Sequence, residues 1–318
     1  MVPVSPEKYD ILGAISPRST HVIVVGDLVT DVVVVLENAA LATGSDTPAS
    51  ITITGGGQGA NTAAWLARAG CPVTLIAAVG DDPAGRERVA ELTSLGVRCA
   101  VRTQPGTATG SVVVLASPGE RTMITDRGAS LALDPEHVTS AITEAVVTGA
   151  GHVHLSGYPL LDPGSRPAGL AALAAARERG LTASVDAASA DPLRTAGGFL
   201  DWVHGADLLL CNADEARVLS GVSDPSALSS LVRNVVVKRG PAGAIWCAGG
   251  RVVASSAAPP VPVIDPTGAG DAFAAGLLTA WCSGADPAEA LAAGTSLGAE
   301  AVRRIGARPA TVRGTHSR

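Results

Sequence analysis

The stretch Ile264-Asp265-Pro266-Thr267-Gly268-Ala269-Gly270-Asp271-Ala272-Phe273-Ala274-Ala275-Gly276-Leu277-Leu278 decides the fold of this chain. It continues an apolar, strand-like segment at residues 261–264 and leads through a glycine-rich turn into an Ala- and Leu-rich segment that predicts a helix. The first N–H groups of a helix lack intrahelical partners, and the positive end of the helix dipole lies beside them. The turn therefore predicts a site for an anion such as a phosphate.

Asp271 lies in this turn, where a carboxylate beside a bound phosphate is costly unless it takes part in the chemistry. We expect Asp271 to take the proton from a hydroxyl that attacks the phosphate, as a general base. The backbone amides of Gly268, Ala269 and Gly270 would hold the phosphoryl oxygens as charge shifts onto them. An ordinary strand–turn–helix junction with Asp271 as the helix N-cap is the alternative that these residues leave open.

Two segments resemble the signatures of the ribokinase-like (PfkB) carbohydrate kinase family. Residues 265–276, Asp-Pro-Thr-Gly-Ala-Gly-Asp-Ala-Phe-Ala-Ala-Gly, are similar to its C-terminal signature. Residues 55–70, Gly-Gly-Gly-Gln-Gly-Ala-Asn-Thr-Ala-Ala-Trp-Leu-Ala-Arg-Ala-Gly, are similar to its N-terminal one. The two lie in the family's order, about two hundred residues apart, and the resemblance spans about residues 22–309. It implies an ATP- and Mg²⁺-dependent kinase that phosphorylates a primary hydroxyl of a small sugar or sugar-like molecule.

Composition bounds the class of protein. The 318 residues can bury a sizeable core, and a charged fraction of 16% suits a compact soluble protein. A net charge of −6 with scattered arginines, and an aromatic content of only 3%, argue against nucleic acid as a partner. No apolar run approaches the length of a membrane span, so we expect no membrane partner.

Cysteine usage and the chain ends suggest a cytoplasmic protein. The five cysteines are widely scattered without a C-x-x-C pair, which predicts reduced thiols and no zinc site. Residues 1–20 lack the basic-then-apolar order of a signal peptide, and we expect a flexible N-terminal tail there. Residues 21–310 would form the kinase domain, followed by a C-terminal tail at 311–318.

The order of apolar segments predicts an α/β fold. Residues 21–26 form a nearly continuous apolar run, typical of a parallel strand covered on both faces. From residue 135 the strand–helix alternation is regular, which implies a parallel sheet with right-handed crossovers. Predicted helices after this point lie at 135–148, 165–179, 192–203, 213–219, 225–230, 269–283 and 287–304. Two hairpin-like inserts, at about 28–54 and 103–127, interrupt the alternation. The resemblance implies that they form a small β-sheet lid on a three-layer α/β/α, ribokinase-like domain.

Five residues of the first third are predicted to bind the acceptor. Asp31 lies shortly after the first strand, at the family's spacing for a carboxylate that accepts hydrogen bonds from two sugar hydroxyls, and Asp27 is a second candidate. Gly56 and Gly57 would let a hydroxylated substrate lie against the main chain, and Asn61 offers a donor and an acceptor at a helix start. A solvated turn for Asp31 and a plain N-cap for Asn61 are the alternatives.

The identity of the acceptor stays open. Val29 stands where ribokinases carry Asn, which puts ribose itself in doubt. Gln58 stands where many ribokinases carry Lys, and a neutral amide there weakens the case for an anionic group at that point. The two inserts contain no Phe, Trp or Tyr to stack on a base, so Tyr158 is the one aromatic expected near the acceptor; this favours a sugar over an adenosine- or pseudouridine-type nucleoside. Arg121 or Arg127 would suit an acid sugar such as ketodeoxygluconate. A non-catalytic nucleotide or sugar sensor is the alternative from another class.

ATP and its metal are assigned to the second half. Asn212 and Glu215 match the family's N-x-x-E motif, which the resemblance implies holds Mg²⁺ through water near the phosphates. The same spacing is close to a helix capping box, and both can hold. Lys238 ends an apolar strand ahead of Gly240 and Gly243, in what resembles the family loop over the nucleotide phosphates. A solvated basic strand end is the alternative for Lys238.

Three further expectations come from the resemblance alone. Asp265 and Thr267 resemble the residues that help bind K⁺ in ribokinases, and residues 306–310 align with that region, although Ala310 replaces a frequent Ser. Thr295 falls near the expected adenine pocket. Homodimerisation through the lid sheets is the third.

Overall fold

The computed structural model describes residues 20–36, 41–117, 120–222 and 224–310. These residues form strands β1 (His21–Val25), β2 (Val29–Leu36), β3 (Ala49–Gly56), β4 (Val73–Gly80), β5 (Arg98–Gln104), β6 (Thr109–Ser117), β7 (Glu120–Gly128), β8 (Ala150–Ser156), β9 (Thr182–Asp186), β10 (Leu208–Asn212), β11 (Asn234–Lys238), β12 (Ala244–Ala248) and β13 (Arg251–Ser256). The α-helices are α1 (Gln58–Arg68), α2 (Pro83–Ser94), α3 (Pro135–Val147), α4 (Tyr158–Leu161), α5 (Arg166–Glu178), α6 (Ala190–Ala196), α7 (Phe199–Trp202), α8 (Ala213–Ser220), α9 (Ala269–Cys282) and α10 (Pro287–Ala301). The predicted tails, residues 1–20 and 311–318, lie outside the described ranges except for residue 20.

The larger sheet contains nine strands in the order β13-β12-β11-β10-β9-β8-β1-β4-β5. Neighbours run parallel from β11 to β5, whereas β12 is antiparallel to both of its neighbours. Strand β4 is buried along its whole length, as expected where helices cover both faces of a parallel sheet. The predicted central, mostly parallel sheet is confirmed.

Each face of this sheet has its own apolar core. Successive side chains of a strand point to opposite faces, so Ile23 and Val25 pack with helices α3 and α5, whereas Val22 and Val24 pack with α1, α9 and α10. The helices therefore form two layers around the sheet, which is the predicted three-layer α/β/α architecture. Among the helices that the structure describes, none has the length and apolarity that crossing a membrane requires.

The smaller sheet contains four strands in the order β3-β2-β6-β7. Its strands come from the two inserts: β2 pairs antiparallel with β3, β6 pairs antiparallel with β7, and β2 and β6 join the two pairs in parallel. The register places Val32 between Ile53 and Val113, with Ile124 beyond, on one face. Asp31, the neighbouring residue of β2, points to the other face.

The strand-like reading of residues 261–264 is wrong. The chain from residue 257 to 268 belongs to no sheet, and Ile264 is 61% exposed. Pro259, Pro260 and Pro262 explain this, because proline has no N–H to donate to a sheet ladder. The segment is held instead by the Ile264 N–H, which donates to the carbonyl oxygen of Val302 at 2.7 Å.

Two predicted helices are also corrected. The segment 192–203 is not one helix but the end of α6 and the short α7, because Gly197 and Gly198 between them adopt φ of 51° and 78°. Such positive φ values are incompatible with a right-handed helix and are favourable for glycine. The predicted helix at 225–230 is a 3₁₀ helix, Pro225–Ser230, capped by Asp224.

Candidate active site

Polar side chains gather at the carboxyl ends of the parallel strands. Asp27 follows β1, Asp186 ends β9, Asn212 ends β10 and Lys238 ends β11. The glycine turn and the first residues of α9, including Asp271, lie at the same edge, because the Lys238 amino group approaches Gly270 there. In open α/β sheets this edge is the usual ligand site.

A hydrogen bond joins the two signature segments. The side-chain amide of Asn61 in α1 donates from Nδ2 to Asp271 Oδ2 at 3.0 Å. Burial raises the pKa of Asp271 to about 8, with Asp186 and Asp27 acting in the same direction, while the Asn61 bond and Lys238 oppose the shift. A carboxyl with a pKa near neutrality is suited to accept a proton from an alcohol.

Neither helix start follows the capping alternatives. The N-cap of α9 is Gly268, which leaves Asp271 in the first turn, and the N-cap of α1 is Gly57, which leaves Asn61 inside the helix. Neither glycine offers a side chain to the exposed amides. The reading of Asp271 and of Asn61 as plain N-caps is therefore wrong.

The three residues of the glycine turn differ in their surroundings. Gly268 has φ of 75°, and a Cβ there would lie 2.3 Å from the carbonyl oxygen of Ala307. The Ala269 N–H donates at 3.3 Å to the carbonyl three residues earlier, so it would be shared with a bound anion. A Cβ on Gly270 would lie 3.4 Å from Lys238 Nζ. Glycine at 268 is thus required by φ and by packing, and the turn has a cationic side chain beside it.

The acceptor-side carboxylate Asp31 packs on the first signature. Asp31 is buried, and a Cβ on Gly56 would lie 1.9 Å from its Oδ1. Gly57 has φ of 98°, and a Cβ there would lie 2.5 Å from the carbonyl oxygen of Asp27. Because these glycines have no side chain, Asp31 and Asp27 can approach the main chain closely. This packing is a second reason for glycine at both positions, besides the predicted contact with substrate.

Asp27 is part of a second polar cluster. It is buried, accepts from the Gly59 N–H at 3.1 Å and forms an ion pair with Arg127 at 3.2 Å. The Arg127 guanidinium lies over the ring of Tyr158, 3.5 Å from its centroid. These groups border a small cavity with Ser130, whose buried Oγ has no hydrogen-bond partner among the residues that the structure describes. Burial raises the pKa of the Tyr158 phenol, so it is neutral at physiological pH.

Lys238 is held by a buried carboxylate. Its Nζ lies 2.6 Å from Asp186 Oδ2, and Asp186 Oδ1 accepts from Gln58 Nε2 at 3.0 Å. Asp186 Oδ1 also accepts from the N–H of Ala188, which has φ of 71°. Ala188 is the one non-glycine residue with positive φ in the part of the chain that the structure describes. Strained backbone of this kind concentrates at functional sites.

Asn212 and Glu215 form a capping box at the start of α8. Asn212 Oδ1 accepts from the Glu215 N–H at 2.9 Å, and Glu215 Oε2 accepts from the Asn212 N–H at 2.7 Å. Burial raises the pKa of Glu215 to about 7; Lys238 opposes this shift and Asp186 adds to it. The capping alternative is realised, and Glu215 lies in the field of the buried Lys238–Asp186 ion pair.

The residues assigned to the nucleotide meet around Ser256. Gly240 and Gly243 bracket the turn between β11 and β12, with φ of 54° and 81°, and a Cβ on Gly243 would lie 2.0 Å from the Ser256 carbonyl oxygen. Thr295 on α10 is buried, and its Oγ1 lies 3.1 Å from Ser256 Oγ. The fold thus brings the glycine loop and Thr295 to the same place.

Asp265 organises the chain before the glycine turn. Its Oδ1 accepts from the Thr267 N–H at 2.9 Å and from Thr267 Oγ1 at 2.5 Å, and its Oδ2 accepts from the Gly306 N–H at 2.9 Å. The segment 306–310 therefore lies against this loop, as the resemblance implies for a cation site. In the described ranges no group of three or more His, Cys, Asp and Glu side chains is arranged to hold a metal ion.

The chain matches the family model described as "pfkB family carbohydrate kinase" over residues 19–312. It belongs to this family. The enzyme is 34% identical to the ATP-dependent ribose-1-phosphate kinase of Halopiger xanaduensis over 80% of this chain and 83% of that one. It is 32% identical to the 2-dehydro-3-deoxygluconokinase of Thermoproteus tenax over 74% of this chain and 75% of that one.

Solved structures agree with the fold. A structure described as Ribokinase II from E. coli in complex with ATP and Mg²⁺ superposes with a TM-score of 0.78 at 25% identity, covering 92% of this chain and 95% of that one. The protein is thus an ATP-dependent carbohydrate kinase of the pfkB family, as its relatives are.

Sequence reasoning missed two residues of this kinase's site. Asp186 was overlooked although, like Asp27, it stands at the end of a buried parallel strand, and that position was a usable signal. Arg308 lies in the C-terminal segment, and its buried guanidinium donates a hydrogen bond to Asn61. Nothing in the local sequence around Arg308 indicates this contact.

Asp186→Asn is expected to destabilise the kinase by about 3 kcal/mol, because it leaves the Lys238 charge largely buried without its ion-pair partner. Asp214→Asn is the matched control, since the Asp214–Arg217 pair is exposed and its loss should change stability by less than about 0.5 kcal/mol. Urea unfolding of both variants measures the difference. Equal stability of the two would contradict a structural role for the Lys238–Asp186 pair.

Proposed function

We propose that this kinase transfers the γ-phosphoryl group of ATP to a primary hydroxyl of a small sugar or sugar-like acceptor, with Asp271 as general base. The observation that carries the proposal is the bond from Asn61 to Asp271 at the glycine turn, because it joins the acceptor-side and phosphate-side signatures at one carboxylate. The raised pKa of Asp271, about 8, supports the role of proton acceptor.

The chemical step is a displacement at phosphorus. The acceptor oxygen forms the new bond to the γ-phosphorus, the bond to the ADP oxygen breaks, and the hydroxyl proton passes to Asp271. Charge on the transferred group would be held by the N–H groups of residues 268–270, with Lys238 Nζ close to the same turn. Positioning and charge stabilisation dominate in such a loose transition state.

Magnesium is assigned to the end of β10. Mg²⁺ prefers hard oxygen ligands and keeps several waters. Because the oxygens of Asn212 and Glu215 already accept hydrogen bonds in the capping box, contact through water fits them better than direct coordination. The ion supplies charge neutralisation at the phosphates. The K⁺ site at Asp265 and Thr267 stays a prediction, supported by the packing of residue 306 against that loop.

The acceptor side favours an anionic sugar as a second candidate. Arg127 and the unpartnered Ser130 Oγ border the cavity beside Asp27, and both suit a carboxylate or phosphate on the acceptor. The two curated relatives act on ribose 1-phosphate and 2-dehydro-3-deoxygluconate, by their names. A nucleoside is less well supported, because the Arg127 guanidinium covers the Tyr158 ring that would stack on a base.

Further proposals concern organisation and location. Residues 21–310 would act as one kinase domain, with the smaller sheet as a lid whose Asp31 face points to the acceptor; closure of such a lid excludes water from the site. The unpaired cysteines, all five of which are free thiols, support a cytoplasmic location. The sensor alternative has less support, because its site would not need a base with a raised pKa.

Asp271→Asn is expected to lower turnover roughly 10²–10⁴-fold while ATP binding stays measurable, because the amide cannot accept the proton. Only the ionised carboxylate is a base, so the turnover of the unmodified kinase should rise as the pH increases through about 8. Initial-rate measurements across pH and calorimetric ATP titrations test both points. Asp286→Asn is the matched control, and it should leave turnover unchanged, because Asn replaces Asp well at the N-cap of α10. Full turnover by Asp271→Asn would refute the assignment.

The acceptor is tested with ribose, fructose, ribose 1-phosphate, ketodeoxygluconate, adenosine and pseudouridine, each with ATP. Arg127→Gln should raise KM roughly 10–100-fold more for an anionic acceptor than for neutral sugars, because only the anionic acceptor loses a charged hydrogen bond, whereas the loss of the Asp27 ion pair affects both. Arg86→Gln, which removes an exposed guanidinium, is the control. An equal effect of Arg127→Gln on neutral and anionic sugars would exclude the anionic candidate.

Dimerisation is assigned to the apolar face of the smaller sheet. Ile51, Ile53 and Ile124 lie on one face and are 64%, 67% and 57% exposed, which indicates a surface covered by a second copy of the chain. Sedimentation equilibrium should give twice the 31.5 kDa of one chain. Ile53→Glu should return the mass to that of one chain, whereas Thr52→Glu, on the opposite face, should not. A monomeric unmodified protein would remove the proposal.

A further inference from the structure

Arg308 is a buried arginine outside the residues that the proposed chemistry uses. Its side chain is 4% exposed and lies in the segment that follows α10. Its Nε donates to Asn61 Oδ1 at 3.2 Å, and its Nη2 donates to the Gly56 carbonyl oxygen at 2.9 Å. Its Nη1 forms an ion pair with Glu91 at 3.0 Å, at an angle that falls short of a hydrogen bond. Two of these three partners belong to the N-terminal signature.

The contact with Arg308 determines which way the Asn61 amide points. A guanidinium has five donors and no acceptor, so the amide atom that faces it must be Oδ1. The amide nitrogen then faces the opposite side, where it donates to Asp271 Oδ2 at 3.0 Å. Without Arg308 the amide could turn over and present its oxygen to the Asp271 carboxylate. The hydrogen bond that Asn61 donates to Asp271 thus depends on the charged Arg308, which is connected to Asp271 through Asn61.

The backbone that carries Arg308 is fixed to both halves of the site. The Gly306 N–H donates to Asp265 Oδ2 at 2.9 Å, ahead of the glycine turn. The Ala307 carbonyl oxygen accepts from Trp65 Nε1 of α1 at 2.9 Å, and it is also the atom that a Cβ on Gly268 would meet. The segment therefore holds the guanidinium at a set distance from α1 and from the start of α9.

Glu91 alone does not explain the buried charge. Glu91 also lies 3.6 Å from Arg88, a second buried arginine on α2, which pairs more closely with Glu87 at 2.6 Å, so Glu91 is shared in part between two guanidiniums. Arg308 further faces Asp31 on β2, whose charge favours the protonated guanidinium. A buried charge is unfavourable unless its hydrogen bonds are satisfied, and here they are made to Asn61 and Gly56.

We propose that Arg308 is a positioning residue for phosphoryl transfer. It orients the Asn61 amide toward Asp271 at the start of α9, and it holds Gly56, at the base of the lid, in place beside Asn61. The inference rests on the proposed function of Asp271 as base. It assigns the C-terminal segment a part in catalysis through Asn61, without contact to either substrate.

The test compares Arg308→Lys, Arg308→Met, Asn61→Ala and the Asn61→Ala/Arg308→Met double variant with Arg303→Met, an exposed arginine of the same segment. Arg308→Met should lower kcat on the order of 10–100-fold, since small misplacements at a reacting centre have effects of this size. The KM for ATP should stay within about twofold, because Arg308 does not touch the nucleotide side. Arg303→Met should match the unmodified kinase.

The pH profile separates positioning from a merely structural role. Loss of a donor to the ionised form raises the pKa of a carboxyl, so the acidic limb of kcat/KM should move to higher pH in Arg308→Met and equally in Asn61→Ala. The charged groups around Asp271, namely Asp27, Asp186 and Lys238, are unchanged in these variants. The double variant should show no further displacement than Asn61→Ala, since both changes remove one interaction.

Arg308→Lys guards against a folding defect. It keeps a cation beside Glu91, so it should fold with a melting temperature above that of Arg308→Met, although below that of the unmodified kinase, because one ammonium cannot span both the Asn61 oxygen and the Gly56 carbonyl. A folded Arg308→Lys with the unmodified kcat and acidic limb would overturn the proposal, as would additive effects in the double variant. If the unmodified chain phosphorylates no acceptor, the proposed function itself fails and the inference fails with it.

Discussion

The hydrogen bond from Asn61 to Asp271 is the contact on which the rest of the site depends. It connects residues 210 positions apart in the chain, one from each signature. Helix α1 follows Gly56 and Gly57, which pack on Asp31 and Asp27, and helix α9 begins in the turn at residues 268–270, which the proposed function assigns to the phosphate. Because both helices pack on the same face of the large sheet, their starts are held at one edge. A single amide thus connects the two turns that the proposed function assigns to the acceptor and to the phosphate.

The charges at this edge explain why its carboxylates differ in behaviour. Asp271 and Glu215 are both poorly solvated and both have raised pKa values, about 8 and about 7. Asp186 instead pairs directly with Lys238 at 2.6 Å. Lys238 thus offsets the charge of Asp186, whereas burial favours the protonated forms of Asp271 and Glu215. Raised pKa values at some of several neighbouring acids are a common way to separate the roles of chemically similar side chains.

Much of the fold could be predicted from the chain, because alternation of buried strands and helices is written into local apolar patterns. The glycine-rich segments also indicated Asp271 and Asn61, and the spacing after the first strand indicated Asp31, which packs on Gly56. Positive φ and close approach of the main chain require glycine and so leave a local trace in the sequence. Contacts made across the fold left none. Asp186 meets Lys238 from a strand 52 residues away, and Arg308 reaches Asn61 over 247 residues. Such pairs follow from sheet order and from the path of the last segment, which no window of sequence contains.

The capping box at the start of α8 gives two residues a double duty. The side-chain oxygens of Asn212 and Glu215 accept the hydrogen bonds that begin helix α8. The same oxygens are proposed to hold magnesium through water. Under the proposed function, selection at these positions acts on folding and on nucleotide chemistry together, and a substitution that suits one requirement alone would be lost. Variation in related chains should accordingly avoid this pair even where the surrounding helix drifts freely, which makes the pair a poor starting point for engineering a change of nucleotide or metal.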